Sequence, residues 1–193
     1  MSETLTKKTK LRRDERRDAI ICGAAEAFVE NGYEATSLED VAEAAGISRA
    51  LLYRHFDTKQ AIYRAVLDNF LIKFHSLVAR PREDRVNERT LDGLIEAAKT
   101  DPNGFRLFFR HAVREPDFKS YYEDIAKKRN YFIQKQLEGS IKDPKERKFI
   151  AYLLQELIIS TILIWIENGM PNPGAMPKLL NDISQSVIQE RSK

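Results

Sequence analysis

The sequence predicts an all-α protein, in which a small N-terminal three-helix domain is joined by one long helix to a larger helical body. Apolar residues recur at spacings of three and four in almost every segment, and no stretch alternates cleanly with period two. Hydrophobic residues make up 42% and charged residues 32%, the balance of a folded globular chain. A length of 193 residues suits a small head with a larger body.

The start of the chain is strongly basic, and residues 1–13 are predicted to form a basic flexible tail. The cations within the first 17 residues are Lys7, Lys8, Lys10, Arg12, Arg13, Arg16 and Arg17. A solvated tail and an arm that contacts phosphates both explain this charge. Because the whole chain carries a net charge of only +3, nucleic-acid binding would depend on where the cations lie.

The first helix is expected from about Arg13 to Asn31, with an apolar stripe and Gly32 just past its end. Cys22 lies among apolar residues and is predicted to belong to its core. It is the only cysteine, so an internal disulfide is excluded, which favours a reducing cytoplasm. Whether Cys22 senses redox state is left open.

Two short helices follow, separated by a glycine, in the segment TSLEDVAEAAGISRALLYRHFDTK from Thr36 to Lys59. The first is expected over 38–45, and the second runs from its cap at Ser48 to about residue 56. Two capping boxes fit the first start, Thr36 with Glu39 or Ser37 with Asp40. This arrangement predicts a helix-turn-helix over 37–56.

The second short helix has one face without a core role. Leu52 and Phe56 are one turn apart and face inward, whereas Ala50 and Arg54 lie on the opposite side. A small alanine permits close approach to bases, and an arginine fork matches guanine or phosphate. The pattern therefore predicts a recognition helix that enters the major groove of DNA.

Residues 14–74 resemble the DNA-binding domain of the TetR/AcrR family, on the segments AFVENGYEATSL, DVAEAAGIS and LLYRHFDTK. The resemblance implies a homodimer, phosphate contacts by Tyr53 and Lys59, and a histidine at 55 that touches the DNA backbone or packs. Leu51 stands where a small polar residue is common, which indicates apolar contact with a thymine methyl. The candidate DNA-binding residues are Thr36, Ser37, Ser48, Arg49, Ala50, Leu51, Tyr53, Arg54, His55 and Lys59.

A long helix from Lys59 to about Ala79 leads into residues 75–193, predicted to bind an effector and to dimerise. Further helices are expected over 90–99, 102–114, 116–139, 144–169 and from about 175 to 190. The segment 105–132 is rich in aromatic residues, with Arg106, Arg110 and His111 as possible anchors for an acidic ligand. The candidate pocket residues are Phe105, Phe108, Phe109, His111, Tyr122, Phe132 and Trp165.

The helix over 144–169 is apolar on nearly all sides, so one face would need a partner chain. With the last helix it could form a four-helix bundle across a two-fold axis. The candidate dimer residues are Leu153, Leu157, Ile158, Thr161, Ile162, Trp165, Ile183 and Val187. The apolar run over 157–166 is too short to span a membrane, which favours a buried helix.

The sequence thus indicates a cytoplasmic transcriptional regulator, a repressor that a small, largely apolar effector releases from a palindromic operator. The alternative is an architectural or protein-regulated DNA-binding factor of the same fold without a ligand, and a filled core in the body would favour it. An enzyme is not expected, because the three histidines have no metal-binding spacing and phosphate loops and nucleophile motifs are absent. No cofactor or metal is expected. The operator, the genes, the effector and the direction of regulation are not encoded in any pattern of this sequence.

Overall fold

A computed structural model describes residues 2–78 and 88–189, with side chains described over 13–78 and 90–189. Within these ranges the chain is helical and contains no strand, which confirms the all-α prediction. The helices are α1 Ser2–Asn31, α2 Leu38–Ala44, α3 Arg49–Tyr53, α4 Lys59–Val78, α5 Glu88–Thr100, α6 Pro102–Arg106, a π-helical turn Leu107–His111, α7 Lys119–Leu137, α8 Pro144–Glu167 and α9 Met176–Gln189.

The head consists of α1, α2 and α3 around a shared apolar core. Ile20, Phe28, Val41 and Leu52 have no exposed surface. At the crossing of α1 and α2, a Cβ added to Gly23 would lie 2.5 Å from the backbone nitrogen of Ala45. The two helices therefore meet backbone to backbone, and α2 is held at a fixed height above α1.

The start of the chain differs from the sequence prediction, because α1 begins at Ser2 and the residues assigned to a flexible tail are helical. Residues 2–22 contain neither glycine nor proline and are rich in good helix formers, so no local signal ends the helix early. The side chains of Lys7, Lys8, Lys10 and Arg12 lie outside the described residues.

The prediction that Cys22 belongs to the core is wrong, since its side chain is exposed. Ile20, Ile21 and Ala24 are buried as expected. Cys22 instead shares a solvent-facing row with Asp18 and Glu26, four residues before and after it, and both are exposed.

Helix α4 connects the head to the body. Tyr63 packs edge-on against Phe28 of α1, with ring centroids 4.9 Å apart. Phe118, from the turn before α7, lies 4.4 Å from Tyr63 and 5.2 Å from Tyr33, measured between ring centroids. Helix α4 and the turn before α7 thus give the body two direct contacts with the head.

The body departs from prediction between residues 102 and 118. A single helix over 102–114 was expected, but α6 ends at Arg106 and passes into the π-helical turn. Residues 112–118 form turns, so α7 begins at Lys119 rather than at Pro116. The charged segment around residues 79–87 lies outside the described residues.

Helix α8 is the one described helix that is long and apolar enough to cross a membrane by length and composition. In the fold it lies among the other helices of the body, and Ile150, Leu154 and Ile162 are buried on its inner side. This agrees with the predicted buried helix, since the core helix of a globular protein has the same composition.

Candidate nucleic-acid interface

The start of α2 is fixed by a reciprocal cap. The Ser37 hydroxyl accepts a hydrogen bond from the Asp40 backbone nitrogen at 3.1 Å, and the Ser37 backbone nitrogen donates to the Asp40 carboxylate at 2.7 Å. Of the two capping boxes that the sequence allowed, the structure contains this one. The backbone hydrogen bond is also the main cause of a lowered pKa of Asp40.

Thr36 does not lie where a DNA contact requires it. Its side chain is 2% exposed. The hydroxyl donates to the backbone oxygen of Gly32 at 2.6 Å and is 3.2 Å from that of Ala27. Thr36 therefore fastens the loop before α2 to the end of α1, and the predicted DNA contact is replaced by this structural role. Ser37 is exposed and stays a candidate.

The turn between α2 and α3 depends on Gly46, whose φ of 64° lies in the left-handed region that side chains disfavour. Ser48 then caps α3 by accepting a hydrogen bond from the Leu51 nitrogen at 3.3 Å. Leu52 and Phe56 are buried, as predicted, and they hold α3 on the head. The helix itself ends at Tyr53, three residues earlier than the sequence suggested.

The outward face of α3 is exposed to solvent. The exposed residues on or next to it are Ser48, Arg49, Ala50, Tyr53 and Arg54. Leu51 is half-buried, so part of its side chain is withdrawn from this surface. We call these six residues, Ser48 to Leu51 with Tyr53 and Arg54, the recognition face.

Arg49 has partners inside the protein as well as exposure. Its guanidinium forms an ion pair with Glu39 of α2 and donates to the Tyr53 hydroxyl at 3.1 Å. The Tyr53 hydrogen bond, followed by the Glu39 charge, raises the pKa of Arg49. Because both groups are exposed, such a pair contributes little to stability and exchanges readily for an external anion. No local pattern pointed to Glu39 as a partner of Arg49, because the two residues meet only across the turn.

Lys59 was predicted to contact phosphate, but its ammonium has two backbone partners. The Nζ donates to the Tyr33 oxygen at 2.7 Å and to the Glu34 oxygen at 3.0 Å, and it lies 4.6 Å above the centre of the Tyr33 ring. Lys59 therefore ties the first turn of α4 to the loop after α1. Since an ammonium has three protons, this anchoring leaves one for a phosphate.

His55 lies beside a group of arginines. Partial burial lowers its pKa first, followed by the positive charges of Arg13, Arg16, Arg17 and Arg54. The imidazole is consequently neutral at pH 7 and does not add to the charge of the interface. The arginines of α1 are exposed, so they extend the cationic surface from the recognition face onto α1.

Several of the predicted pocket residues are packed in the core of the body. Phe105, Phe108 and Phe109 are buried in the core under α4, where Phe109 packs on Phe70 and Phe74. The Trp165 ring nitrogen donates to the Pro171 oxygen at 2.8 Å. The aromatic residues of α6 and the π-helical turn fill the interior, a role that composition alone could not distinguish from lining a pocket.

Two of the three polar anchors that the sequence suggested, Arg110 and His111, interact with other parts of the protein. Arg110 is paired with Glu167 of α8. His111 is half-buried, and its pKa is lowered by burial and then by the charges of the neighbouring arginines. A cavity of about 290 Å³ does exist in the body, but it lies between α5, α7, α8 and α9. Phe132 lines it, whereas Phe105, Phe108, Phe109, His111, Tyr122 and Trp165 do not.

The candidate dimer residues on α8 divide between two faces. Ile158, Ile162 and Trp165 are at most 9% exposed and belong to the core of their own protomer, so their assignment to the dimer is wrong. Leu153 is exposed, and Leu157 and Thr161 are half-buried on the outer side. The outer side also carries Phe149, Tyr152 and Ile164, each more than half exposed.

Helix α9 has a matching outer side. Leu179 is 49% exposed, and the predicted residues Ile183 and Val187 are half-buried. Among the described residues no group of three His, Cys, Asp or Glu side chains could hold a metal ion. The sites that the geometry offers are therefore the recognition face, the body cavity and the outer sides of α8 and α9.

The head has three helices, of which the third, α3, is capped and has an outward-facing side, and the head is joined to a helical body. This arrangement defines a helix-turn-helix transcriptional regulator. The family described as bacterial regulatory proteins, tetR family, matches residues 20–66. The transcriptional activator FasR of Mycolicibacterium smegmatis is 36% identical over 169 residues, 84% of this chain and 77% of that protein. The transcriptional repressor KstR2 of Rhodococcus jostii is 30% identical over 146 residues, 70% of each chain.

The chain belongs to the TetR family, and the resemblance of its sequence is confirmed. A crystal structure of a TetR-like transcriptional regulator from Rhodococcus has the same fold, with a TM-score of 0.75 over 88% of this chain and 93% of that one, at 19% identity. The relatives are DNA-binding regulators and not enzymes, in agreement with the expectation for this chain.

Proposed function

We propose that the protein is a homodimeric repressor that binds a palindromic operator through its recognition face and is released by a small effector in the body. The observation that carries this proposal is the division of α3 into two faces. Leu52 and Phe56 are buried while Arg49, Tyr53 and Arg54 are exposed on one surface. An exposed cationic face on a helix fixed by its own core residues matches the mode in which such helices enter the major groove.

Residues of the recognition face and the neighbouring Ser37 have distinct roles in this proposal. Arg54 reads a base edge, Ala50 and Leu51 approach thymine methyls, and Tyr53 and Ser37 contact phosphates. Arg49 exchanges Glu39 for phosphate or guanine when the duplex arrives. The exposed arginines of α1 add phosphate contacts, so affinity falls steeply with salt.

The dimer is supported by the outer sides of α8 and α9, which would leave large apolar side chains in water in a monomer. Phe149 is 61%, Tyr152 57%, Ile164 56% and Leu179 49% exposed. Together with Leu153 they leave five large apolar side chains exposed on α8 and α9, and large apolar patches are rarely exposed by soluble monomers. Two copies would bury these sides in a four-helix bundle around a two-fold axis.

The dimer has a direct test. Ile164→Glu should yield a monomer by light scattering at micromolar concentration, since it places a charge at the centre of the bundle. The control is Arg64→Glu, which places a glutamate at an exposed position of α4, outside the proposed dimer surface of α8 and α9. A wild-type protein that is monomeric at this concentration would contradict the proposal.

Operator binding is tested by selecting duplexes from a random pool and measuring their affinity by fluorescence anisotropy. The selected sites should be inverted repeats, with half-sites spaced by roughly 34–36 Å or a multiple of it. Selection of single, unrepeated motifs would contradict binding as a two-fold dimer. Transcription from a promoter that overlaps the selected site should fall when the protein is added, whereas a rise would make it an activator, as FasR is named.

The body cavity favours an effector-responsive regulator over a factor without a ligand. The alternative would have a filled core, but the described body encloses about 290 Å³ lined mainly by apolar residues. An effector that prefers a dimer with wrongly spaced recognition faces releases the operator. The protein would act in the cytoplasm, where both DNA and small metabolites are available.

A further inference from the structure

The cavity between α5, α7, α8 and α9 has an apolar interior and a polar rim. Leu94, Leu154, Ile158 and Ile159 line it and are buried, whereas Ser140 and Gln185 line it and are exposed. The opening therefore lies between the end of α7 and α9, and the interior extends toward α5 and α8. A volume of about 290 Å³ is near the lower end of ligand pockets, which run from about 300 Å³ upward.

Arg129 of α7 brings a positive charge to this apolar interior. It lines the cavity, and all three of its guanidinium nitrogens are buried without a hydrogen-bond partner among the described residues. The guanidinium lies 5.4 Å from the centre of the Phe109 ring, a buried residue of the π-helical turn. The charge thus marks the inner end of the cavity, away from its opening.

The neighbours of Arg129 do not neutralise it. Burial lowers the pKa of Arg129, while the nearby Tyr122 hydroxyl, whose contact with the guanidinium does not reach hydrogen-bond geometry, and the Glu156 carboxylate raise it. Glu156 forms no ion pair with Arg129 in the described chain and instead accepts from the Tyr122 hydroxyl at 3.5 Å. A guanidinium keeps its proton in proteins, so a charge remains that has lost water and gained no anion.

A second unsatisfied group lies in the same wall. Gln155 of α8 is 2% exposed, and its Oε1 has no hydrogen-bond partner among the described residues. An isolated buried charge and an orphaned amide oxygen are costly in a finished core but are expected in a binding site before its ligand arrives. Both groups line the cavity of about 290 Å³.

We propose that this cavity binds an amphipathic anion, whose single acidic head pairs with Arg129 and whose unbranched apolar chain lies along Phe132, Ile158 and Ile159. This deepens the proposed function, since the anion would be the effector. A planar guanidinium donates two parallel hydrogen bonds to a carboxylate or a phosphate. Gln155 then accepts from a hydroxyl or amide hydrogen of the ligand, or from a water that the ligand holds in place.

The test measures binding of four decyl compounds by calorimetry, without DNA. Decanoate and decyl phosphate carry anionic heads, and decanol and decylamine are uncharged and cationic controls of the same chain length. Both anions should bind the wild-type protein, and the tighter of them identifies the head group. Arg129→Gln should weaken the anions roughly 10- to 150-fold, as expected for loss of a buried charge-assisted hydrogen bond.

Two further variants keep the test independent of the folding of Arg129→Gln. Lys128→Gln changes the adjacent, exposed cation of α7, which is paired with Asp124, and should leave binding unchanged. Ser184→Phe places a ring in the cavity wall without altering charge and should abolish binding of both anions. Circular dichroism confirms that each variant is folded.

The proposal is overturned if decanol binds as tightly as decanoate, if Arg129→Gln or Ser184→Phe binds the anions as wild type does, or if none of the four compounds binds at millimolar concentration. Anisotropy with the selected operator separates these results from the proposed function. If the protein binds the operator but none of the four compounds, the anion site is refuted and the DNA-binding function is not. An anion that binds at Arg129 yet leaves operator affinity unchanged supports the site and removes its role as effector.

Discussion

The crossing of α1 and α2 gives the sharpest single prediction, because the structure sets two opposing effects against each other at Gly23. A Cβ at this position would lie 2.5 Å from the Ala45 nitrogen and 2.7 Å from the Ala44 carbonyl carbon. Both are backbone atoms, so no side-chain rotation relieves the overlap and α2 must move outward. Overpacking of this kind costs about 1–3 kcal/mol.

The opposing effect is helix propensity, since Gly23 lies inside α1, where alanine is favoured over glycine by about 1 kcal/mol. We therefore expect Gly23→Ala to lower the free energy of unfolding by up to about 2 kcal/mol. For a chain of this size that corresponds to a melting temperature lower by up to about 8 °C. Operator affinity should fall as well, because α2 carries α3.

The assay is urea denaturation followed by circular dichroism, at one fixed protein concentration because dimerisation contributes to stability. Gly139→Ala is the matched control, since a Cβ added at Gly139 meets nothing within 4 Å. If Gly23→Ala is more stable than the wild-type protein and binds the operator equally well, the backbone contact at the crossing does not exist as described.

Three more predictions concern Arg54 on the recognition face, Lys59 at the start of α4 and the pH dependence that His111 contributes to stability. Arg54→Ala should change the preferred operator sequence and weaken binding to the original site by about 1–3 kcal/mol. The control Arg114→Ala, which changes an exposed arginine of the body, should do neither. If Arg54→Ala weakens binding to all sequences equally, Arg54 contacts phosphate and not a base. Lys59→Met should lower the free energy of unfolding by about 1–2 kcal/mol, because it removes two hydrogen bonds to backbone carbonyls. The control Arg64→Met, on the exposed side of α4, should leave the free energy of unfolding unchanged. If Lys59→Met lowers operator affinity without lowering stability, Lys59 contacts phosphate and does not anchor the loop. His111 has a lowered pKa in the fold, so protonation favours the unfolded chain, and unfolding free energy should rise from about pH 5 to 7. His111→Gln should flatten that rise in urea titrations, and an unchanged slope would place the responsible group elsewhere.

The pH dependence follows from the direction in which the pKa of His111 is shifted. A histidine whose folded pKa lies below its ordinary value of about 6.5 binds more protons when unfolded. Stability is therefore fully present above about pH 7 and is lost as pH falls through the ordinary value toward the folded one. The cause is burial first and then the charges of Arg106, Arg110 and Arg114.

Much of the head could be predicted because its signals are local. Glycine at 46, the caps at Ser37 and Ser48, and the inward pair Leu52 and Phe56 act within a few residues of one another. Such short-range constraints are readable from the order of side chains alone. The helix-turn-helix and its outward face followed from them, whereas the family followed from the resemblance of three segments to the TetR/AcrR DNA-binding domain.

The sequence also determined that α8 and α9 would be helices with more apolar surface than one protomer can bury. It did not determine which side of α8 faces inward, because apolar residues surround the helix. The fold assigned Ile158, Ile162 and Trp165 to the protomer and left Phe149 and Ile164 outside. That choice depends on which neighbours α5, α7 and α9 present, and these are distant in sequence.

The functional roles that only the tertiary structure decided are those of charged and polar side chains with distant partners. Lys59 bonds to carbonyls more than twenty residues earlier, Arg49 meets Glu39 across a turn, and Thr36 turns inward to α1. Arg129 precedes Ile133 and Leu137 by one and two turns, so the sequence did hold a charge in an apolar row. Whether that charge meets a partner or a cavity is set by helices that the chain brings there from far along its length, and local periodicity carries no information about them.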